Sequence, residues 1–466
     1  MIVMKFGGTL MGSTTAIQHS ASLVAATANT GTKVAVVPSA MSGVTDQLLK
    51  IAYSAEQGEL EFANAEIDLI KSRHIVTAKE LGALEGSSTR KKLLEMLESL
   101  SQTVHGIYLL RELSLRSKDL IVSFGERLSA PLMAAALEGL GVKAHDLTGG
   151  QAGLVTNNNF GNARPLPEAF TRIPERLEQL FKDGITPVVT GFIGETLKGV
   201  MTTLGRGGSD YTATILGAAL NAQEVWTWKD VDGVMTTDPR IVPEAQNLEQ
   251  LSYLEIMEMA YFGAKVLHPL AVTPLQDKNI PLRVKSAADP SFPGTLVTAE
   301  SKPIKNVVKA VTAIRSAAIL DISGAGMVGV PEVVSKIFDV LTEKSVNVLM
   351  ISQSSSMANI SLVVQQSDVK RAFDALQAQF ENSDLVKTIE YWEGIAIVAV
   401  VGEGMRGAKG VAAKLFTAVA LEGVNLDMIS QGSSETNISF AIEDVDTVRT
   451  VKAIHKAFNL EKLENA

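Results

Sequence analysis

Short apolar runs rich in valine and isoleucine recur through the first 300 residues: IVMKF (2–6), KVAVV (33–37), DLIVSFG (119–125), TPVVTGF (186–192), EVWTW (224–228) and PLRVK (281–285). Stretches with apolar positions three and four apart lie between them. The pattern predicts strands alternating with helices around a mainly parallel sheet. Residues 59–117 keep a helical period with no strand-like run, which predicts a helical excursion. Glu126 then follows a predicted strand at a strand-to-helix turn. DPSFPGTLVTAESKPIK (289–305), with three prolines, reads as a domain boundary.

Beyond that boundary the chain repeats itself. A shift of 78 residues aligns 324–364 with 402–442 without a gap, and 18 of the 41 pairs are identical. Each copy reads as strand, glycine loop, helix, strand, strand, helix, so the last third is predicted to be two copies of one α+β module. Both loops satisfy G-x-G-x-x-G, through Gly324, Gly326 and Gly329 and through Gly402, Gly404 and Gly407. A dinucleotide site also needs an acidic residue about 20 positions on and a helical crossover to the next strand. VNVLMIS in the first copy has no acid; Asp427 stands near that distance in the second, but both copies run on by a hairpin. The loops are tight turns, or they expose N–H groups to a small anion such as an amino-acid carboxylate.

Composition narrows the chemistry. The 42 basic and 51 acidic residues give a formal charge of −9, and no Lys/Arg-rich run stands out, which argues against nucleic acid or an anionic membrane as partner. The absence of cysteine removes disulfides, thiolate zinc sites and cysteine nucleophiles, and the six histidines show no ligand spacing. With no signal-like N-terminus and no apolar run near 18 residues, a cytoplasmic, multidomain protein is expected.

Two glycine-rich stretches could meet an anion. In KFGGT (5–9), Gly7 and Gly8 let backbone approach a ligand while Lys5 adds a point charge. In LGRGGSDYTAT (204–214), Arg206, Gly207, Gly208, Ser209 and Asp210 precede a helix predicted from Tyr211 to Leu220. Ser209 and Asp210 are fair helix caps, whereas Arg206 has no capping role and its planar fork suits a carboxylate. Glu126, in VSFGERLSA, and the acids of WKDVDGVMTTDPR could equally be helix-start and turn residues.

Taken together and in order, KFGGT, PSAMSGVTD, FGER, GRGGSD, WKDVDG and FGAKVLHP resemble the aspartate kinases, of the amino-acid kinase fold, over essentially the whole chain. The repeats resemble a tandem pair of ACT domains, α+β ferredoxin-like modules that bind amino acids as effectors. The resemblance implies a catalytic domain over 1–300 with a mainly parallel central sheet flanked by helices, an ACT domain over 301–390 and a second over 391–466. It implies transfer of the γ-phosphoryl group of ATP, with Mg2+, to the β-carboxylate of L-aspartate. Lys5 and Asp210 would be catalytic, and Thr45, Glu126, Arg206 and Ser209 would hold aspartate. Lys5, Gly7, Gly8, Ser39, Gly207, Gly208, Lys229, Asp230, Met235, Arg240 and Lys265 would serve the phosphates and nucleotide. Gly326, Met327, Gly329, Asn347, Gln353, Asn425 and Gln431 would meet the effector, threonine before lysine because of the MISQ-S-SS-NIS pattern.

The resemblance further implies a homodimer or homotetramer assembled through the ACT domains, and the chain ends too soon after the second repeat for a fused homoserine dehydrogenase. Leu10, Pro38, Lys229 and Met235 depart from the common family pattern and bear on nucleotide use. Another carboxylate kinase, a non-catalytic amino-acid sensor and an NAD-dependent dehydrogenase are the rival readings.

Overall fold

The computed structural model describes residues 1–264, 267–301, 304–355 and 358–463. The chain divides into two compact units. The first comprises Met1–Val234, Glu249–Tyr253 and 267–301; the second comprises Met235–Leu248, 254–264 and the described residues from 304 onward. Two short segments from before residue 300 thus group with the repeats.

Eleven strands build the first unit: β1 (Ile2–Phe6), β2 (Val34–Pro38), β3 (Ala144–Leu147), β4 (Val155–Thr156), β5 (Thr186–Val189), β6 (Ile193–Thr196), β7 (Met201–Thr203), β8 (Glu224–Lys229), β9 (Gln250–Ser252), β10 (Leu282–Ser286) and β11 (Thr295–Thr298). Eight form one sheet in the order β3-β5-β2-β1-β8-β10-β11-β9, and within it only the β10–β11 pairing is antiparallel. All five residues of β2 are buried, as expected of a parallel strand covered on both faces. Strands β1, β2, β5 and β8 point the same way, so the residues that follow them collect along one edge of the sheet. In open α/β sheets that carboxyl edge is where ligands sit.

The helical excursion is Leu60–Glu80, Ser88–Leu110 and Leu115–Gly139. The last of these corrects the sequence reading. DLIVSFG is the second and third turns of a 25-residue helix capped by Ser114, and Glu126 lies in mid-helix rather than at a strand-to-helix turn. The misreading has a physical cause. Ile121 to Glu126 are all buried, and a helix buried all round loses the amphipathic period that separates it from a buried strand. This helix is also long and apolar enough in composition to cross a membrane, contrary to the expectation of no such run, but 89% of its apolar window is buried inside the protein. It shares one core with Phe6, Met41, Leu48 and Leu93.

The second unit carries β12 (Ala310–Ser323), β13 (Val348–Gln353), β14 (Asn359–Gln365), β15 (Thr388–Val401), β16 (Met428–Ser430) and β17 (Asn437–Glu443) in the order β13-β14-β12-β15-β17-β16. The repeat explains this symmetric order. The two 14-residue strands β12 and β15 lie antiparallel at the centre: Ala310–Ile314 pairs with Ile397–Val401, and Ala318–Ser323 pairs with Thr388–Glu393. Residue 390 therefore lies inside a continuous strand. Val308 and Val311 pack with Val398 and Val400 of the second copy, while Ile389 and Tyr391 pack on the first copy's core. Each module borrows the leading strand of the other.

The same crossing explains the glycine loops. A Cβ on Gly324 would stand 2.1 Å from the Leu385 carbonyl oxygen, and one on Gly402 would stand 2.5 Å from that of Val307, 78 residues earlier. Gly329 and Gly407 turn at φ 71° and 70°, in left-handed conformation. Crossing backbone and a tight turn thus account for G-x-G-x-x-G. The strand that follows pairs antiparallel with its successor in both copies, so the crossover of a dinucleotide fold does not occur.

Candidate active site

Lys5, one residue before the end of β1, extends its ammonium to 2.6 Å from Asp210 Oδ1, and Lys229 at the end of β8 reaches Oδ2 at 3.3 Å. Two strand ends and one helix start thus build a cation–anion–cation cluster, with Lys5 and Asp210 buried. Burial, and secondarily Lys229, push the Lys5 ammonium down to about 8 against the pull of Asp210. Burial also pushes the Asp210 carboxyl up, but Lys229 and Lys5 outweigh it and hold the group below its ordinary range.

Asp210 belongs to the helix Gly208–Ala219, which starts three residues earlier than expected. The cap is Gly207, and neither Ser209 nor Asp210 caps it. Ser209 Oγ instead donates to Glu126 Oε1 at 3.4 Å. Space forces the glycines here. A Cβ on Gly207 would meet His268 Cβ at 2.2 Å at a left-handed φ of 69°, one on Gly208 would meet the Phe192 ring at 2.6 Å, and one on Gly191 would meet Ser209 Cβ at 2.6 Å. Arg206, just before the cap, is exposed.

Glu126 is buried, and burial pushes its carboxyl up to about 7. Its Oε2 has no hydrogen-bond partner. A buried carboxylate with an unused oxygen is suited to a ligand cation. Thr45 stands in the first turn of the helix Val44–Gln57, and a Cβ on Gly125 would lie 3.7 Å from its Oγ1, so a small residue at 125 brings Thr45 beside the Glu126 turn. Ser39, the residue after β2, donates its N–H to Phe6 O and accepts from Ser129 Oγ through its carbonyl. Gly7 and Gly8 open a short 3-10 turn, with the position of a Gly7 Cβ 3.8 Å from Lys5 Nζ. Asp230 follows β8 and is exposed.

The first unit thus carries Lys5, Gly7, Gly8, Ser39, Thr45, Arg206–Asp210, Lys229 and Asp230 on or just beyond its strand ends and the helices that follow, with Glu126 added from the middle of the helix Leu115–Gly139. Met235 and Arg240 belong to the second unit, where Met235 bridges to Asn247 and the Arg240 guanidinium is forked onto Asp238 at 2.6–3.1 Å. Lys265 lies outside the described residues.

Three contributors escaped the sequence reading. Asp119 accepts from Thr203 N–H and hydroxyl at 2.8 and 2.7 Å and from Gly161 N–H at 2.9 Å, fixing β7 just ahead of the glycine loop. Phe192, at φ 67°, places its ring against Gly208, and His268 packs on Gly207. A non-glycine left-handed residue and a lone histidine carry no spacing signal, so neither was legible without the fold.

In the second unit Gln431 lines a cavity of about 360 Å³ with Met405, Ala408, Gly410, Val411 and Glu435. Asn347, Gln353 and Asn425 are exposed at the ends of or ahead of the edge strands β13 and β16, and Asn425 donates to Asp427. Met327 is buried core, and a Cβ on Gly326 would meet Leu385 Cα at 2.8 Å.

Comparison with known proteins matches residues 1–286 to the amino acid kinase family, and residues 320–380 and 398–458 to the ACT domain. Aspartokinase 1, chloroplastic, of Arabidopsis thaliana is 35% identical across 98% of this chain and 80% of its own length. A bifunctional aspartokinase/homoserine dehydrogenase 1 of Zea mays is 34% identical over 99% of this chain but only 50% of its own length. Among solved structures, E. coli aspartokinase III in complex with aspartate and ADP (R-state) superposes with a TM-score of 0.82 at 30% identity, covering 98% of this chain and 99% of that one. The same enzyme with lysine and aspartate (T-state) gives 0.77 at 31% identity, covering 99% of this chain and 100% of that one.

Proposed function

Because the chain belongs to the aspartokinases of the amino acid kinase family, and is therefore an ATP-dependent kinase acting on aspartate, we propose how its own residues divide that reaction. The observation that carries the assignment is the buried Lys5–Asp210–Lys229 cluster at the carboxyl edge of the sheet.

The β-carboxylate of aspartate has an ordinary pKa of about 3.9, so at neutral pH the nucleophile is already ionised and needs no general base. The difficulty is bringing two anions together. Lys5 supplies positive charge where the γ-phosphoryl group travels, and the glycine backbone of residues 7–8 and 207–208 leaves room for its oxygens. Asp210 is a positioning residue: it holds both ammonium groups in place and keeps Lys5 charged against its burial. Glu126 takes the substrate ammonium through its unpartnered oxygen, Arg206 takes the α-carboxylate, and Thr45 and Ser209 complete the pocket. The β-carboxylate oxygen attacks phosphorus, the bond to the β-phosphate oxygen breaks, and ADP leaves with that electron pair. The product is the acyl phosphate 4-phospho-L-aspartate.

Magnesium would arrive on the triphosphate and neutralise its oxygens. Ser39, Lys229 and Asp230 serve the nucleotide from the first unit. Met235, Arg240 and Lys265 are assigned to it from the family motifs alone.

The limits expected from the sequence, 1–300, 301–390 and 391–466, remain only a coarse partition, since the cut at 390 passes through β15 and two earlier segments group with the repeats; cytoplasmic location and a homodimer or homotetramer through the ACT modules complete the reading. The reaction would open the lysine, threonine and methionine branch of amino-acid biosynthesis. We assign threonine as the feedback effector, at the paired ISQ strands and glycine loops, with lysine second; the Gln431 cavity supports an amino-acid-sized ligand. The test is ATP-dependent aspartyl hydroxamate formation with threonine and lysine titrated separately. Loss of activity with threonine is the expected result. Inhibition by lysine alone would reverse the effector assignment, and no hydroxamate at all would overturn the assigned chemistry.

A further inference from the structure

A second cavity, of about 510 Å³, opens beside the Gln431 cavity and shares with it the wall Ala408, Gly410 and Val411. Four lysines line it, Lys305, Lys409, Lys414 and Lys462, against one acid, Glu461. On a chain of net charge −9 such a convergence runs against the overall balance. We propose that this cavity is a binding site for a compact, multiply charged phosphate-bearing anion, separate from the kinase centre and from the amino-acid effector site.

The backbone of the walls is tied together, while the four lysine side chains are exposed around its mouth. Asn306 Nδ2 donates to the carbonyls of Phe458, Asn459 and Lys462 at 3.0, 2.9 and 3.2 Å, which ties the segment carrying Lys305 to the turn carrying Lys462. Lys414 Nζ lies 4.8 Å over the Phe458 ring, a cation–π contact that fixes its stem while leaving its N–H groups for a ligand. Among the described residues Lys409 and Lys462 form no ion pair with a carboxylate, and like charges lining one cavity repel unless an anion joins them. The volume lies in the ordinary range for small-molecule sites, roughly 300–1,000 Å³.

The sister repeat supplies an internal control. The same 78-residue shift puts Pro331 at the place of Lys409, Glu332 at Gly410, Glu381 at Asn459 and Asp384 at Lys462, and keeps a lysine only at 336. One scaffold therefore carries opposite charge in its two copies, so the lysines are not a requirement of the fold. The ligand's class follows from the donors. All four cations are lysines, compact point charges suited to phosphate oxygens.

The test is calorimetric titration of the full chain with inorganic tripolyphosphate, at constant ionic strength and with the kinase centre saturated by aspartate and ADP. The wild type is expected to bind one equivalent per chain. The double variant Lys409→Gln/Lys462→Gln should bind about tenfold or more weakly, Lys336→Gln should bind as the wild type does, and all three should retain hydroxamate activity. Citrate, of comparable charge, should bind more weakly than tripolyphosphate. A second equivalent of ADP bound by the wild type and lost in the double variant would identify nucleotide phosphates as the source, whereas a single equivalent would point to free ones. No tripolyphosphate binding, unchanged binding by the double variant, or citrate binding as tightly would each overturn the proposal. Because the readout is binding, failure here is distinguishable from failure of the assigned kinase chemistry.

Discussion

Glu126 concentrates the compromise between stability and function in one side chain. Its carboxyl titrates at about 7 in the folded chain, against 4.5 ordinarily, so the folded state binds more protons than the unfolded one between those values. Stability therefore falls as pH rises through that window, and the penalty is fully present above about pH 7. Glu126→Gln removes the penalty. At pH 8 it should stabilise the ligand-free protein by about 1–3 kcal/mol while weakening aspartate binding by about 100-fold, read as a higher thermal midpoint beside a raised KM. A lower midpoint would mean that Glu126 is held by partners in the fold rather than kept for a ligand. Lys5 sets the opposite limit. Under the proposed roles the free enzyme needs Glu126 ionised and Lys5 protonated, so kcat/KM should rise through about pH 7 and fall above about pH 8. Aspartate's ammonium favours ionised Glu126, so the acid limb of kcat should lie at lower pH than that of kcat/KM. Coincident limbs would argue that Glu126 does not touch the substrate.

At the scale of elements, the loop entering the helix Gly208–Ala219 shows how the site is built by close approach. Gly207→Ala must place a methyl 2.2 Å from His268 Cβ while holding a left-handed φ, so either the loop or His268 moves. The expected outcome is a fall in kcat of about 100-fold with an intact far-ultraviolet spectrum, because Ser209 and Asp210 follow directly; near-normal turnover would show that the loop tolerates the shift. This element was only half legible in advance. Three glycines with a cation, a hydroxyl and a carboxylate raised the expectation of a ligand site, but the partner of each side chain depended on elements distant in sequence. Strands β1, β2 and β5 were legible because β-branched runs buried on both faces leave few alternatives, and β10 because buried Leu282 and Val284 alternate with half-buried Arg283 and Lys285. The helix Leu115–Gly139 was not, since burial on every side erased its period around DLIVSFG. Asp119, inside the same run, was taken as part of a strand although its carboxylate secures β7.

At the scale of the whole molecule, the repeat is visible in sequence but its interleaving is not, because a 78-residue period says nothing about which copy pairs with which leading strand. Ala310–Ile314 completes the second module and Thr388–Glu393 completes the first, while Lys309 N–H donates to Val401 O and Lys387 N–H to Ser323 O at the two equivalent crossings. A further tie lies within the second unit: Lys309 and Glu255 pair at 2.9 Å with side chains 3% and 0% exposed, and the other Glu255 oxygen accepts the Glu403 N–H at the second glycine loop. Removing one partner of such a pair leaves a buried charge and typically costs about 3–5 kcal/mol. A segment cut at the boundary expected from the sequence, residues 391–466, would lose β12, the Val308 and Val311 side chains and the Lys309 crossing together. It should fail to fold alone, whereas residues 304–463 joined to the 235–265 segment retain every one of these contacts. Cooperative thermal unfolding of the isolated 391–466 piece would refute the interleaved account. Within the intact chain, Gly402→Ala, whose methyl would stand 2.5 Å from the Val307 carbonyl oxygen, should lower the midpoint of the second unit and leave the Lys5–Asp210–Lys229 cluster to operate in the first. The proposed threonine response should be lost in that variant before hydroxamate activity is, because the crossing it disturbs lies in the repeats to which that response is assigned and not among the residues assigned to phosphoryl transfer.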